Sequence, residues 1–173
     1  MKGKMIMILC FRPWLRTHAL TLILTAVLAA VLLSGCGPKT VIGEINDQSP
    51  VALIRFEAQE DGLAGVVYRH VNDFDALLAQ SEVPVLVVFY APSAPVNTRI
   101  IPRLEQMADD LKDQLQIVWI NAKAETELSA SFTAETLPQF TVVVEASLRR
   151  SLVGYGDEGA DELDKLLSPY LPD

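Results

Sequence analysis

Residues 85–97 read Val-Leu-Val-Val-Phe-Tyr-Ala-Pro-Ser-Ala-Pro-Val-Asn, and this stretch decides the fold. The run from Val85 to Tyr90 follows Pro84 with no charged or amide side chain in it. A strand solvated on one face alternates apolar with polar residues, so an unbroken run marks a strand buried on both faces. Pro92 and Pro95 then end the strand and force a turn. Beyond the turn, Ile100, Leu104, Met107 and Leu111 recur at spacings of three and four. That period predicts a helix over 96–111, with Pro102 inside it.

The same alternation continues on either side. Val66-Val67-Tyr68 reads as a strand, and Asn72 or Asp73 can cap a helix running through residue 79. Residues 116–120 form the next buried strand, with Val118 and Trp119 as core side chains, and 125–132 a short helix. Residues 140–144 and 148–153 pair as a hairpin, and 161–170 close the chain as a helix. Arg149-Arg150 fall on an exposed edge strand, where charge discourages edge-to-edge association. Strands and helices in this order predict an α/β sandwich with a mixed sheet.

Four features resemble the thioredoxin family over residues 66–173. Phe89-Tyr90-Ala91-Pro92 looks like the strand end that leads into the family's active-site turn, and Pro102 is similar to the proline of its first long helix. Leu137-Pro138 resembles the apolar residue and cis proline facing that site, and Gly154 the glycine after the last strand. The intervals from Phe89 to Pro102, to Pro138 and to Gly154 match the family without a gap. The resemblance implies a thioredoxin-like three-layer sandwich, a mixed central sheet flanked by helices.

The register also says what occupies the family's active site. Where the family carries Trp-Cys-Gly-Pro-Cys, this chain reads Ser93-Ala94-Pro95-Val96-Asn97, so Ala94 and Asn97 replace both cysteines. The position of the family's buried acid falls on Val88. Dithiol exchange needs a thiolate nucleophile and a resolving thiol. The expectation is a redox-inactive domain that is not an enzyme, with no catalytic residue and no cofactor. What the resemblance leaves is the surface on which the family holds extended peptides against the cis-proline loop. Here Tyr90, Ala94, Pro95, Val96, Leu137, Pro138 and Tyr155 would build it. Backbone pairing supplies affinity on such a surface, and shallow apolar pockets supply selectivity. The partner implied is an envelope protein or an extended peptide. Two alternatives stand beside this: a redox complex whose other member supplies the cysteines, or a former active site closed beneath the preceding segment.

Residues 1–35 contain four basic side chains (Lys2, Lys4, Arg12, Arg16) and no acidic one. Their apolar run, 19–33, is 15 residues long. That is short of the roughly 20 a bilayer span needs and fits a signal peptide. Leu33-Ser34-Gly35-Cys36 resembles the bacterial lipobox, which assigns Cys36 as the lipidated residue. Several acyl chains on one residue anchor stably where one would be marginal. The positive flank stays inside, so the rest of the chain is expected outside the cytoplasmic membrane, facing the periplasm or exterior. Gly37 in place of an inner-membrane retention aspartate points to the outer membrane. Residues 36–65, rich in Gly, Pro, Asn and Asp, read as a lipid-anchored tether in which 51–56 can form an extra strand.

From residue 36 onward the chain holds 10 basic and 22 acidic side chains, a net charge of −12. That excludes generic nucleic-acid binding and a polybasic membrane surface. Cys10 lies in the segment to be removed and Cys36 is consumed by lipid, leaving no dithiol. Ser93 and Thr98 read as turn or cap residues, since no base stands near them in the sequence. His70 alone makes neither a triad nor a zinc site. The acidic group Asp157, Glu158, Asp161, Glu162 and Asp164 reads as favourable charge at the last helix's N-terminus, with Asp161 or a neighbour as cap. The alternative for that group is a divalent cation.

Overall fold

The structure, a computed structural model, describes residues 40–58 and 62–172. The expected signal segment and Cys36 lie outside these residues. Within the compact unit Thr40–Asp173, the strands are β1 (Ile42–Ile45), β2 (Val51–Ala58), β3 (Ala64–Val71), β4 (Val85–Tyr90), β5 (Gln116–Asn121), β6 (Gln139–Val144) and β7 (Ser147–Val153). The helices are α1 (Phe74–Gln80), α2 (Asn97–Asp110), α3 (Thr126–Ser131) and α4 (Gly159–Leu167), the last running into a 3-10 turn, Ser168–Tyr170.

The strands form one mixed sheet in the order β1-β3-β2-β5-β4-β6-β7. Only β4 and β5 run parallel, joined by α2 as crossover, and every other neighbouring pair is antiparallel. β4 lies between β5 and β6, which is why its five residues Val85 to Phe89 are all at most 1% exposed. Successive side chains leave a strand on opposite faces. Leu86 and Val88 therefore join Ile100 and Leu104 of α2 and Leu163 of α4, while Val87 and Phe89 join Leu77 of α1 and Phe132 beyond α3. The result is the expected three-layer sandwich.

Two expectations need correction. The extra strand expected at 51–56 is present, but the segment before β3 is more than a tether: β1 and β2 belong to the sheet, and β2 lies in its interior between β3 and β5. Val51, Ala52, Leu53 and Ile54 are buried there, so the apolar run that reads as an optional strand is core. At α4, no side chain caps the helix; Glu158 occupies the N-cap position, and Asp161 and Glu162 stand inside the first turn. Their carboxylates still meet the positive end of the helix dipole. At α1 the cap is Asp73, which accepts from Ala76 N–H at 2.9 Å.

The β6–β7 hairpin turns on Glu145 and Ala146, both with positive φ (53° and 55°). This is the primed turn that suits strand twist, built without the glycine or asparagine that would announce it.

Candidate functional site

β4 ends at Tyr90 beside the start of β6, because Phe89 pairs with Gln139. That register sets the turn 91–97 next to Leu137-Pro138, whose peptide bond is cis. Pro138 C=O accepts from Gly154 N–H at 2.8 Å, fixing the loop against the end of β7. Gly154 holds φ +86°, a left-handed conformation that favours glycine. Pro138 is buried and Leu137 half-buried. The peptide groups of Leu137 form no hydrogen bond among the described residues.

The turn is closed by backbone. Ala94 N–H donates to Ala91 C=O at 3.0 Å, and Asn97 N–H to Ala94 C=O at 3.1 Å. Asn97, only 8% exposed, adds a side-chain lock. Its Nδ2 donates to Ala91 C=O at 2.8 Å, with a longer contact to Pro92 C=O. Its Oδ1 is buried and has no partner among the described residues. Where the family places a resolving thiol, this chain has an amide that holds the turn shut. Ser93 is exposed, and Thr98 Oγ1 donates to Pro95 C=O at 2.8 Å, so Thr98 acts as a turn residue.

The proposed surface residues divide between the two sides of the sheet. Tyr90, Val96 and Tyr155 lean on the α2/α4 core, whereas Leu137 packs against the α1/α3 core. Tyr90 stacks on Trp119 with ring centroids 3.9 Å apart, and Tyr155 rests tilted on Phe140 at 5.8 Å. Burial pushes both phenols above the usual tyrosine range; for Tyr155 the guanidinium groups of Arg103 and Arg99 oppose the rise. Neither phenol is a base at neutral pH. Ala94 is half-buried and Pro95 exposed. Leu137 shares its core cluster with Val41 and Ile42 of the segment before β2.

Three features had no legible signal. Arg99, in the first turn of α2, donates to Tyr155 C=O at 2.7 Å, reaches Asp157 Oδ1 at 3.2 Å and lies 5.7 Å from the Tyr155 ring centroid. It ties the helix start to the loop after β7. Gly159 makes room for Tyr155, since a Cβ there would stand 2.7 Å from Tyr155 Cγ. Ser49 and His70 meet at 2.6 Å between Oγ and Nδ1. Ser49 Oγ also donates to Val51 C=O at 2.6 Å, so the imidazole N–H is the donor to the serine. A serine whose proton is already committed to a carbonyl is not activated as a nucleophile. Among the described residues, no group of three His, Cys, Asp or Glu side chains converges on a metal position.

Comparison with known proteins agrees with this geometry. The chain is 35% identical over 71 residues to thioredoxin Y, chloroplastic, of Oryza sativa subsp. japonica, covering 41% of this chain and 42% of that one. It therefore spans under half the length of the chloroplast relative. Against the thioredoxin of Haemophilus influenzae it is 25% identical over 87 residues, 49% of this chain and 81% of that protein. The solved structure of mitochondrial thioredoxin 3 from Saccharomyces cerevisiae, in its oxidized form, superposes with a TM-score of 0.50 at 17% identity, covering 56% of this chain and 86% of that one. The family model described as Thioredoxin matches residues 65–168, from β3 through α4 and including both the cis-proline loop and the turn, and the chain belongs to the thioredoxin family.

Proposed function

We propose that this domain binds an extended segment of another envelope protein on its cis-proline face and performs no thiol chemistry. The observation that carries the reading is the Leu137-Pro138 loop. It is cis, it stands beside the turn, and the Leu137 peptide groups have no partner among the described residues. An unpaired peptide unit beside apolar side chains offers main-chain pairing for affinity and shallow pockets for selectivity. Ala94 and Asn97 supply no thiolate and no resolving thiol, and Asn97 spends its amide on the turn. In this reading Cys36 carries the lipid, and the −12 domain stands outside the cytoplasmic membrane as a scaffold or assembly factor.

The test is site-specific photo-crosslinking in intact cells from positions 94 and 137. The expected product is one discrete envelope protein, captured from both positions and lost with Leu137→Asp or Ala94→Arg. Capture unchanged by both substitutions would mean that a different surface binds.

A further inference from the structure

The strand directions fix where the chain enters the sheet. β4 and β5 run parallel and finish together, Tyr90 opposite Asn121, so the turn 91–97 leaves from that pole. β2 runs back against β5 with Val51 opposite Ile120, and Asn121 N–H donates to Pro50 C=O at 2.8 Å. It therefore starts at the pole where β4 ends. β3 returns to that pole, His70 opposite Ala52, and β1 starts beside the last residue of β3, Ile42 opposite Val71. Thr40 consequently enters the domain at the pole that carries the cis-proline loop. A β1 of the reverse direction would put the entry at the other pole, that of the Glu145-Ala146 turn.

Asn72 fixes the entry. Its N–H donates to Val41 C=O at 2.9 Å, and its Nδ2 to Thr40 C=O at 2.8 Å. Val41 and Ile42 join the α1/α3 core against which Leu137 also packs. Only four peptide links separate Cys36 from Thr40, and four residues span at most about 14 Å. β1 and β6 are five strand intervals apart. At about 4.8 Å each, these set the entry and the loop about 24 Å apart along the pole. Whatever the tilt of the domain, the cis-proline loop stands within about 40 Å of the Cα of Cys36.

We propose that this short link confines the cis-proline site to the layer next to the bilayer, and that the segment it binds is the juxtamembrane stretch of a second membrane-anchored protein. The inference rests on the lipid at Cys36 and on the binding function proposed above for the loop. Confinement selects the partner. Two groups held in one thin layer meet at a raised effective concentration, whereas a segment displayed far above the bilayer lies beyond the reach of the link.

The experiment places the lipidated full chain in vesicles of phosphatidylethanolamine and phosphatidylglycerol that contain a nickel-chelating lipid as quencher. A fluorophore is attached through Ser93→Cys, in the exposed turn, or through Asp113→Cys, exposed at the opposite pole before β5. Quenching is several-fold stronger from 93 than from 113. A 36-residue Gly/Ser insertion after Gly37 gives the link a root-mean-square span of about 35 Å and removes the difference. In cells, photo-crosslinking from position 137 captures a peptide next to the membrane anchor of another protein, and the insertion lowers that capture several-fold. Equal quenching at the two positions, capture indifferent to the insertion, or a captured protein with no membrane anchor overturns the inference alone. A chain that does not float with the vesicles defeats the lipid assignment, and no capture at either link length defeats the binding function; each takes the inference with it.

Discussion

Returning cysteines to positions 94 and 97 asks whether the thiols are all that this turn lacks. The two positions are the ends of a four-residue turn closed by Asn97 N–H to Ala94 C=O at 3.1 Å. Such turns hold their end Cα atoms within about 7 Å, which overlaps the roughly 4.4–6.8 Å that a disulfide accepts. The first turn of α2 has neither an acidic residue nor a side-chain cap, so its positive end is free to favour a thiolate. If that field lowers the thiol pKa from about 8.5 to about 7, the thiolate fraction at neutral pH rises from roughly 3% to roughly 50%. A less basic thiolate is a weaker nucleophile, with a Brønsted slope of about 0.4–0.5, so the net gain is about three- to fourfold. Asn97→Cys also gives up the 2.8 Å bond to Ala91 C=O, at a cost of about 1 kcal/mol. The assay pairs thiol alkylation across pH 5–9 with thiol-dependent insulin reduction. The parent chain should reduce nothing. The Ala94→Cys/Asn97→Cys chain should form an internal disulfide and alkylate at pH 7 three to four times faster than a cysteine peptide. Failure to form the disulfide, or alkylation no faster than the peptide, would refute the claim that the family's geometry is retained; insulin reduction by the parent would refute its inactivity.

Gly159→Ala places a Cβ 2.7 Å from Tyr155 Cγ; the roughly 1–3 kcal/mol of overpacking exceeds the helix-propensity gain of about 1 kcal/mol, so urea melts should show net destabilisation. Ala146→Gly relieves a non-glycine residue at φ 55°, a relief of about 1–2 kcal/mol less about 0.5–1 kcal/mol of chain entropy, and should raise the urea midpoint slightly or leave it unchanged. Hydrogen bonding from Arg69, and its charge, hold the Glu57 carboxyl below the usual carboxylate range against the opposing effect of burial. A depressed carboxylate stabilises above its unfolded pKa, about 4.3, and that contribution is lost as pH falls through the lower folded value. Glu57→Gln should therefore flatten the acid limb of a pH–stability curve below about pH 5 and leave its neutral limb no steeper. Cys36→Ser should abolish incorporation of a fatty-acid analogue, and label retained in that variant would remove the lipid assignment.

Most of the fold was legible because burial writes itself into composition. Val85–Tyr90 and Gln116–Asn121 lie in the sheet interior, and for that reason Val85–Tyr90 and the 117–120 part of the second read as apolar runs. The edges were less legible. β1, Ile42–Ile45, is short and half-exposed, so it lacks the apolar density that marks a strand. The hairpin turn at Glu145 and Ala146 lacks glycine, and only the backbone reveals its positive φ. At the site, the turn and the cis-proline loop were legible through the resemblance of Phe89-Tyr90-Ala91-Pro92 and Leu137-Pro138 to the thioredoxin family. Arg99 could not be, since its partners lie 56 to 58 positions away. Nothing in a local pattern distinguishes an arginine that clamps a distant loop from one that faces water.

The three departures from the family's active site are mutually consistent in physical terms. Val88 pairs with Trp119 on one side and Phe140 on the other and is 0% exposed. A carboxylate in such surroundings carries a large desolvation cost, one that is useful only when a neighbouring thiol needs its proton moved. With Ala94 and Asn97 in the turn there is no such thiol, and an apolar residue is the stable choice at position 88. Asn97 does what a cysteine in its place would do poorly: its Nδ2 satisfies Ala91 C=O at 2.8 Å and fixes the chain leading into α2. The stabilisation a redox site would give up to keep a reactive thiol goes here into holding the turn beside the cis-proline loop. That is the outcome expected under the proposed reading, in which binding is retained and electron transfer is not. It leads to a sharp consequence: Val88→Asp alone should destabilise the domain by several kcal/mol without conferring activity. An active, stably folded Val88→Asp chain would show that the three positions are not coupled as argued.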